Sequence, residues 1–256
     1  MGIIDTHSHI YLEQFDDDRE EMMQRASEAG VKMVLMPNID AESIQPILDV
    51  EKKYPEICKS MMGLHPTSVD DNYKELLDKM YSLFAEHKFC AVGEIGIDLY
   101  WDKTFLKQQT EAFKIQLNWA KELNLPVVIH ARDAFDEIFE VMDHFDLEGM
   151  SGVFHSFTGS VEQGKKVLSY PNFYLGINGV VTFKNSGLDK VVEELGPDKI
   201  VLETDAPFLT PTPYRGKRNE PSYLSLVIEK LSAVFDIPKH KIVKLTTQNA
   251  TKLFNL

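Results

Sequence analysis

The sequence predicts a single closed (β/α)8 barrel, and three observations carry that expectation. Short apolar, β-branched runs alternate with longer amphipathic stretches, and the alternation repeats eight times. The runs are almost continuously apolar, as in parallel strands covered on both faces. The chain has 256 residues, the length of one barrel of this kind at about 250 residues, so one domain is expected over residues 1–256. An open doubly wound sheet is the alternative. No Gly-x-Gly-x-x-Gly follows the first apolar run, so the dinucleotide site common in such sheets is missing.

The elements follow in order. A strand over Gly2–His9 leads to a helix over Asp16–Ala29, and a strand over Val31–Met36 to a helix over Ala41–Lys53. Ile57–Leu64 and Phe89–Ile95 are the third and fourth strands, each a short apolar run followed by an amphipathic stretch, Tyr73–Glu86 and Thr104–Leu123. In the latter, Phe105, Leu106, Phe113, Leu117, Ala120 and Leu123 recur near the helical period. Strands at Val127–Ala131, Gly152–His155 and Phe173–Ile177 alternate with helices at Ala134–Phe145, Val161–Ser169 and Leu188–Leu195. The eighth strand, Ile200–Thr204, precedes helices at Pro221–Phe235 and Pro238–Phe254, the last with Pro238 suited to its first turn. Between strand and helix lies a long irregular stretch, Ala206–Glu220, holding Pro207, Pro211, Pro213 and a basic cluster. Loops of that length in a compact domain are usually functional.

Composition sets limits. Hydrophobic residues at 43% and charged residues at 26% exclude a disordered or collagen-like chain. The longest apolar runs are a few residues, against the roughly 20 of a membrane span, so no membrane association is expected. The start of the chain has neither a basic region nor an apolar signal core. Cys58 and Cys90 read as two buried thiols in a reducing compartment, which points to the cytoplasm. A net charge of −13 argues against general affinity for nucleic acid. It leaves open an enzyme that brings phosphates to bound metal ions and a few local arginines.

Five of the eight histidines, His7, His9, His65, His130 and His155, fall at the C-terminal ends of expected strands, the rim on which barrels build their active sites. His87, His144 and His240 lie in helices or loops and read as surface or hydrogen-bond-satisfied residues. The spacing of His7 and His9 puts both imidazoles on one face of a strand, so one ion can take both rings. Glu94, His130, His155 and Asp205 join this pair from later strand ends, and imidazole and carboxylate together suit zinc, manganese or a mixed pair of divalent ions. Six such donors exceed the needs of one tetrahedral ion, and Glu94 could bridge two.

Several ordered segments carry a family resemblance: Ile4-Asp-Thr-His-Ser-His9, Gly63-Leu-His-Pro66, Gly93-Glu-Ile-Gly-Ile-Asp98 and Val128-Ile-His-Ala-Arg-Asp-Ala134. They continue with Gly152-Val-Phe-His-Ser-Phe-Thr-Gly159, Leu202-Glu-Thr-Asp-Ala-Pro-Phe-Leu209 and Arg215-Gly-Lys-Arg-Asn-Glu-Pro221, ending near Asn249-Ala-Thr-Lys-Leu-Phe254. In these the chain resembles, over essentially its full length, the TatD family of metal-dependent deoxyribonucleases within the amidohydrolase-like barrels. The resemblance implies one ion on His7, His9, Glu94 and Asp205 and a second on Glu94, His130 and His155, with zinc, magnesium or manganese as the metal. It also implies hydrolysis of phosphodiester bonds in DNA, often exonucleolytic, on single strands or ends. No protein partner is indicated.

Around the metals, Asp205 is the expected group for orienting the attacking water or taking its proton, and His65 a phosphate contact or proton donor to the leaving oxygen. Asp5 shares a face with His7 and His9 and reads equally as a ligand or a buried hydrogen-bonding group; Glu203 is expected behind the ligands. Arg132, Arg215 and Arg218, with Lys217, are the expected phosphate grips. Tyr100 and Trp101 either stack on a base or pack under a loop. Two rivals remain. One is a hydrolase of a small cyclic amide, lactone or ester; many such barrels bridge their metals with a carboxylated lysine, where this chain has Glu94. The other is a metal- or DNA-binding scaffold without turnover.

Overall fold

In the computed structural model, which describes residues 2–256, parallel strands and helices alternate around a barrel. The strands are β1 (Ile3–Asp5), β2 (Val31–Met36), β3 (Cys58–Ser60), β4 (Val92–Asp98), β5 (Val127–Arg132), β6 (Gly152–Phe154), β7 (Phe173–Ile177) and β8 (Ile200–Leu202). The helices are α1 (Arg19–Glu28), α2 (Ile44–Lys53), α3 (Tyr73–Ser82), α4 (Leu106–Leu123), α5 (Phe135–Asp143), α6 (Val161–Ser169), α7 (Leu188–Leu195), α8 (Leu224–Phe235) and α9 (Lys239–Phe254). Continuous ladders join β1-β2-β3 and β4-β5-β6-β7-β8. Two seams close the ring. Between β3 and β4, Cys90 N–H donates to the Ser60 carbonyl (2.9 Å) and Gly93 N–H to that of Met62 (3.0 Å). Between β8 and β1, Thr6 N–H donates to Leu202 (2.9 Å), Asp205 N–H to His7 (2.9 Å) and His9 N–H to Ala206 (2.7 Å).

The barrel interior is a packed core. Ile4, Leu35, Met61, Ala91, Val128, Val153, Tyr174 and Val201 are all buried in one cluster, one side chain from each strand or the residue flanking it. Ala250, Leu253 and Phe254 of α9 join the same cluster, so the last helix plugs one end. A larger apolar layer fills the space between the strands and the surrounding helices, the two-layer burial expected of parallel strands.

Element interiors agree with the sequence reading and several ends do not. β1, β3, β6 and β8 stop short of the expected His9, Leu64, His155 and Thr204, because the chain leaves the ladder to turn side chains into the mouth. β4 runs the other way, starting at Val92 and continuing through Asp98. Helix starts at Asp16, Ala41 and Thr104 move to Arg19, Ile44 and Leu106, and the expected ends of the third helix and start of the eighth are 3-10 turns, Leu83–Ala85 and Pro221–Tyr223. Cys58 is buried but Cys90 only half-buried, and both are free thiols. No helix among the described residues is long and apolar enough to cross a membrane.

The long Ala206–Glu220 loop is anchored at its base. Arg218 grips both oxygens of Asp18 (2.7 and 2.7 Å) and lies over the Phe15 ring. Arg25 pairs with Glu220 (2.6 Å) and with Asp18 (3.0 Å). Hydrogen bonds from Arg218, then from Arg25, hold the Asp18 carboxyl down to about 2. A carboxyl depressed in the folded state stabilises above its unfolded pKa of about 3.9 and loses that contribution as pH falls through the folded value. The difference in Tm between wild type and Asp18→Asn is therefore expected to be constant from pH 7 to about 5 and to shrink as pH drops from about 4 toward 2. Thermal melts across that range check it; a gap that widens in acid would break the assignment.

Candidate active site

The strand ends bring His7, His9, His65, Glu94, His130, His155 and Asp205 together. On β5 and β6 the geometry is simple. Val128 and Val153 face the barrel interior, so the residues two further on, His130 and His155, face the same way. On β8 the same step leads from Val201 to Glu203. The backbone then turns through a left-handed Asp205 (φ +57°), bringing that carboxylate also to His155. On β4 a register shift between Val92 and Ile95 changes the phase, so that Glu94 and Asp98, not their odd-numbered neighbours, reach His130. His7 and His9 lie just past β1, with Ser8 between them bridging to Ala206.

Glu94 sits at the centre and is buried. Its two oxygens face different imidazoles. Oε2 lies 3.1 Å from His7 Nε2 and 3.9 Å from His9 Nε2. Oε1 lies 2.8 Å from His130 Nδ1, 3.5 Å from His65 Nε2 and 3.7 Å from His155 Nε2. On the first side, the two Nε2 atoms are 3.2 Å apart, and Asp205 Oδ1 is 3.7 Å from His7 and 3.4 Å from His9. A tetrahedral ion with bonds of about 2.0–2.1 Å spaces its donors about 3.3 Å apart. His7, His9 and Glu94 form a group close enough to hold one such ion, with Asp205 beside both rings. On the other side Glu94 and His130 lie close together with His65, and His155, its Nε2 3.7 Å from Glu94 Oε1 and 3.8 Å from Asp205 Oδ1, is grouped with His7 and Glu203.

Partners on the far ring nitrogens set what each imidazole offers. The Tyr11 hydroxyl donates to the Pro37 carbonyl (2.7 Å), so it must accept from His9 Nδ1 (2.9 Å), leaving the lone pair on Nε2 facing the cluster. Glu203 Oε1 lies 3.1 Å from His155 Nδ1, and Asp98 Oδ2 lies 2.8 Å from His130 Nε2. Carboxylates in such positions orient metal-binding histidines. His65 is the opposite. The Thr67 backbone N–H donates to its Nδ1 (3.2 Å), which leaves the proton of the neutral ring on Nε2, pointing into the site. In that tautomer His65 offers a donor to the site, its Nε2 standing beside Glu94 and His130.

Charge in this buried space is strongly coupled. Burial opposes ionisation of Glu94, but His7, His155 and His65 and the bond to His130 outweigh it and hold the carboxyl well below its usual range. Burial likewise works against the His155 cation, yet Glu203, Glu94 and Asp205 raise it to about 10. The His7 ring stacks on His155 at 3.4 Å, and burial plus that neighbouring charge push His7 down to about 4.

Asp5 is not part of the cluster. It accepts from the Thr204 hydroxyl (2.6 Å) and backbone N–H (2.9 Å), tying β1 to β8, and burial pushes its carboxyl up to about 7. Of the basic residues, Arg132 stands at the rim with its guanidinium 3.7 Å from the Tyr100 ring centre. Arg215 lies over Phe183 in the exposed loop (3.6 Å). Arg218 is not turned toward the cluster, because its guanidinium is committed to Asp18 and the Gln14 carbonyl. Asp98 was missed in the sequence reading. Its signal was the even spacing Glu94, Gly96, Asp98 within one motif, hidden while the strand was ended at Ile95.

A family profile described as TatD related DNase matches residues 4–255. An uncharacterized metal-dependent hydrolase of Bacillus subtilis is 38% identical, covering 99% of each chain. A 3′-5′ ssDNA/RNA exonuclease TatD of Erwinia tasmaniensis is 30% identical over 95% of this chain and 96% of its own. The crystal structure of a TatD homolog from Escherichia coli K12 superposes with a TM-score of 0.92 at 30% identity, covering 99% of this chain and 98% of that one.

Because Glu94 faces both donor groups, Glu94→Gln is expected to lower bound divalent metal more than the His7→Ala/His9→Ala pair, which touches one group only. His65→Ala should leave metal content near wild type. Elemental analysis of the purified variants checks this, and unchanged metal in Glu94→Gln would overturn the donor assignment.

Proposed function

The chain belongs to the TatD related DNase family of metal-dependent hydrolases, and from that membership and the donor geometry we propose that it is a divalent-metal-dependent nuclease, acting over residues 1–256 as one domain and shortening single-stranded DNA from an end. The observation that carries the reading is the division of Glu94, whose Oε2 serves the His7 and His9 side and whose Oε1 serves the His130 and His155 side. That arrangement supports two ions, with imidazole and carboxylate donors suited to zinc or manganese and a site open to magnesium. Divalent cations in such a pair supply charge to the phosphate oxygens and ease deprotonation of the attacking water.

The remaining chemistry belongs to the side chains. Asp205 is the most exposed acid of the cluster, at 13% of its side chain, and is held ionised against burial by His155, His9 and His7. It takes the proton of the water that attacks phosphorus, and that proton passes through solvent to the alkoxide oxygen released as the ester P–O bond breaks. His65 donates its Nε2–H to a phosphate oxygen. The Thr67 N–H on Nδ1 leaves no room for a second ring proton, which favours this contact over proton delivery to the leaving oxygen. Glu203 and Asp98 keep His155 and His130 in place.

End-labelled oligonucleotides incubated with metal-reconstituted protein should give a ladder of progressively shorter products. Intact oligonucleotides with zinc, manganese and magnesium alike, alongside hydrolysis of a small lactone or amide, would replace the nuclease reading with that rival. Asp205→Asn is expected to lower kcat by about 10²-fold or more while oligonucleotide affinity changes little; near wild-type kcat sends the proton elsewhere. His65→Ala should raise KM more than it lowers kcat, whereas an equal loss in kcat and kcat/KM places His65 in the transition state.

A further inference from the structure

Five large hydrophobic side chains are exposed among the described residues: Tyr100 (53%), Trp101 (72%), Phe208 (48%), Tyr214 (39%) and Leu256 (36%). The four aromatics all lie in the stretches that follow β4 and β8. In a ring of eight strands taken in sequence order, β4 and β8 stand opposite each other. An exposed aromatic is ordinary when single; clustering on two facing lips of one site is not.

Both lips are fixed to the metal-binding cluster. Tyr100 N–H donates to Asp98 Oδ1 (3.0 Å), and Asp98 Oδ2 holds His130. Tyr100 and Trp101 meet edge to face at 4.8 Å, and the Arg132 guanidinium covers the Tyr100 ring and stands 5.3 Å from that of Trp101. Beside them opens a cavity of about 550 Å³ lined by Tyr100, Arg132, Phe135, Thr158, Ser160 and Gln163. That is within the range of small-ligand pockets. Across the mouth, the Phe208 ring lies 6.1 Å from that of His9. Its backbone is held by N–H donation to the Asp205 carbonyl (2.8 Å) and by Asn219, which donates to its carbonyl (2.7 Å).

We propose that these two lips are base-stacking platforms, Tyr100–Trp101–Arg132 on one side of the cleaved phosphate and Phe208 on the other, which select unpaired strands without reading their sequence. The inference rests on the nuclease reading above. Aromatic faces accept any base and only when it is unstacked, so paired DNA gains nothing from them. The chain's charge of −13 offers little long-range attraction to phosphates, and stacking then has to supply a large share of the binding.

The test uses the metal-loaded enzyme and a dT oligonucleotide, with a matched oligonucleotide carrying abasic residues. Tyr100→Ala/Trp101→Ala is expected to raise KM for the dT strand about tenfold, the scale of one lost base stack, with kcat little changed. On the abasic strand, wild type and variant should coincide. Emission from exposed Trp101, over the fixed background of buried Trp119, should be quenched on binding dT and not on binding the abasic strand. Phe208→Ala should raise KM independently. Equal KM values on dT, or no quenching, overturn the platforms. Wild-type enzyme that cleaves a small phosphodiester but no oligonucleotide overturns the nuclease reading, a separate outcome.

Discussion

The mouth of this barrel is organised by one carboxylate, Glu94, ionised and buried among imidazoles. Burying a charge costs several kcal/mol unless partners surround it, and here His7, His65, His130 and His155 do so. Their own burial then requires an outer set of groups. Asp98, Glu203 and Thr67 stand at the ring nitrogens of His130, His155 and His65 turned away from Glu94, and Tyr11 does the same for His9, while His7 Nδ1 is buried without a partner. The outer set in turn constrains the backbone. A Cβ at Gly176 would lie 2.2 Å from Glu203 Oε2, so β7 keeps a glycine where the buried carboxylate needs room.

Much of this was legible as pattern. Parallel strands covered on both faces give long apolar runs, and the alternation of side chains carries an interior valine to a site residue two positions on, as at Val128 and His130 or Val153 and His155. Pattern fails where the backbone changes phase. The register shift in β4 hid Asp98, and the chain beyond β1 leaves strand geometry before His7, although the two imidazoles still converge. Pairings across the fold were also invisible. Nothing near Arg218 in the sequence announces Asp18, which lies 200 residues away, so a basic cluster that looked available for phosphate is partly used to hold its own loop.

The long loop after β8 therefore combines two mechanical characters. Its base is tied down by Arg218, Glu220 and Asn219, while 212–217 are exposed. Phe208 and Asp205 belong to the fixed part. Rigid support under the groups of a site is what catalysis by positioning demands, and variation at the exposed tip is free to adjust what approaches without disturbing the side chains below.

The seam between β1 and β8 has a further consequence for how the protein comes to be active. Thr6 bonds to Leu202, and Asp5 to Thr204, across 196 and 199 residues. Contacts of such sequence separation form late in folding, because their loop entropy must be met before they return any stabilisation. His7 and His9 stand on one side of that seam and Asp205 on the other. A chain that has assembled most of its helices and strands but not closed this edge keeps Glu94 with His65, His130 and His155 and lacks the His7 and His9 side. The complete donor set is thus tied to closure of this one seam, and the two ends of the chain must meet before His7, His9 and Asp205 can face Glu94 together.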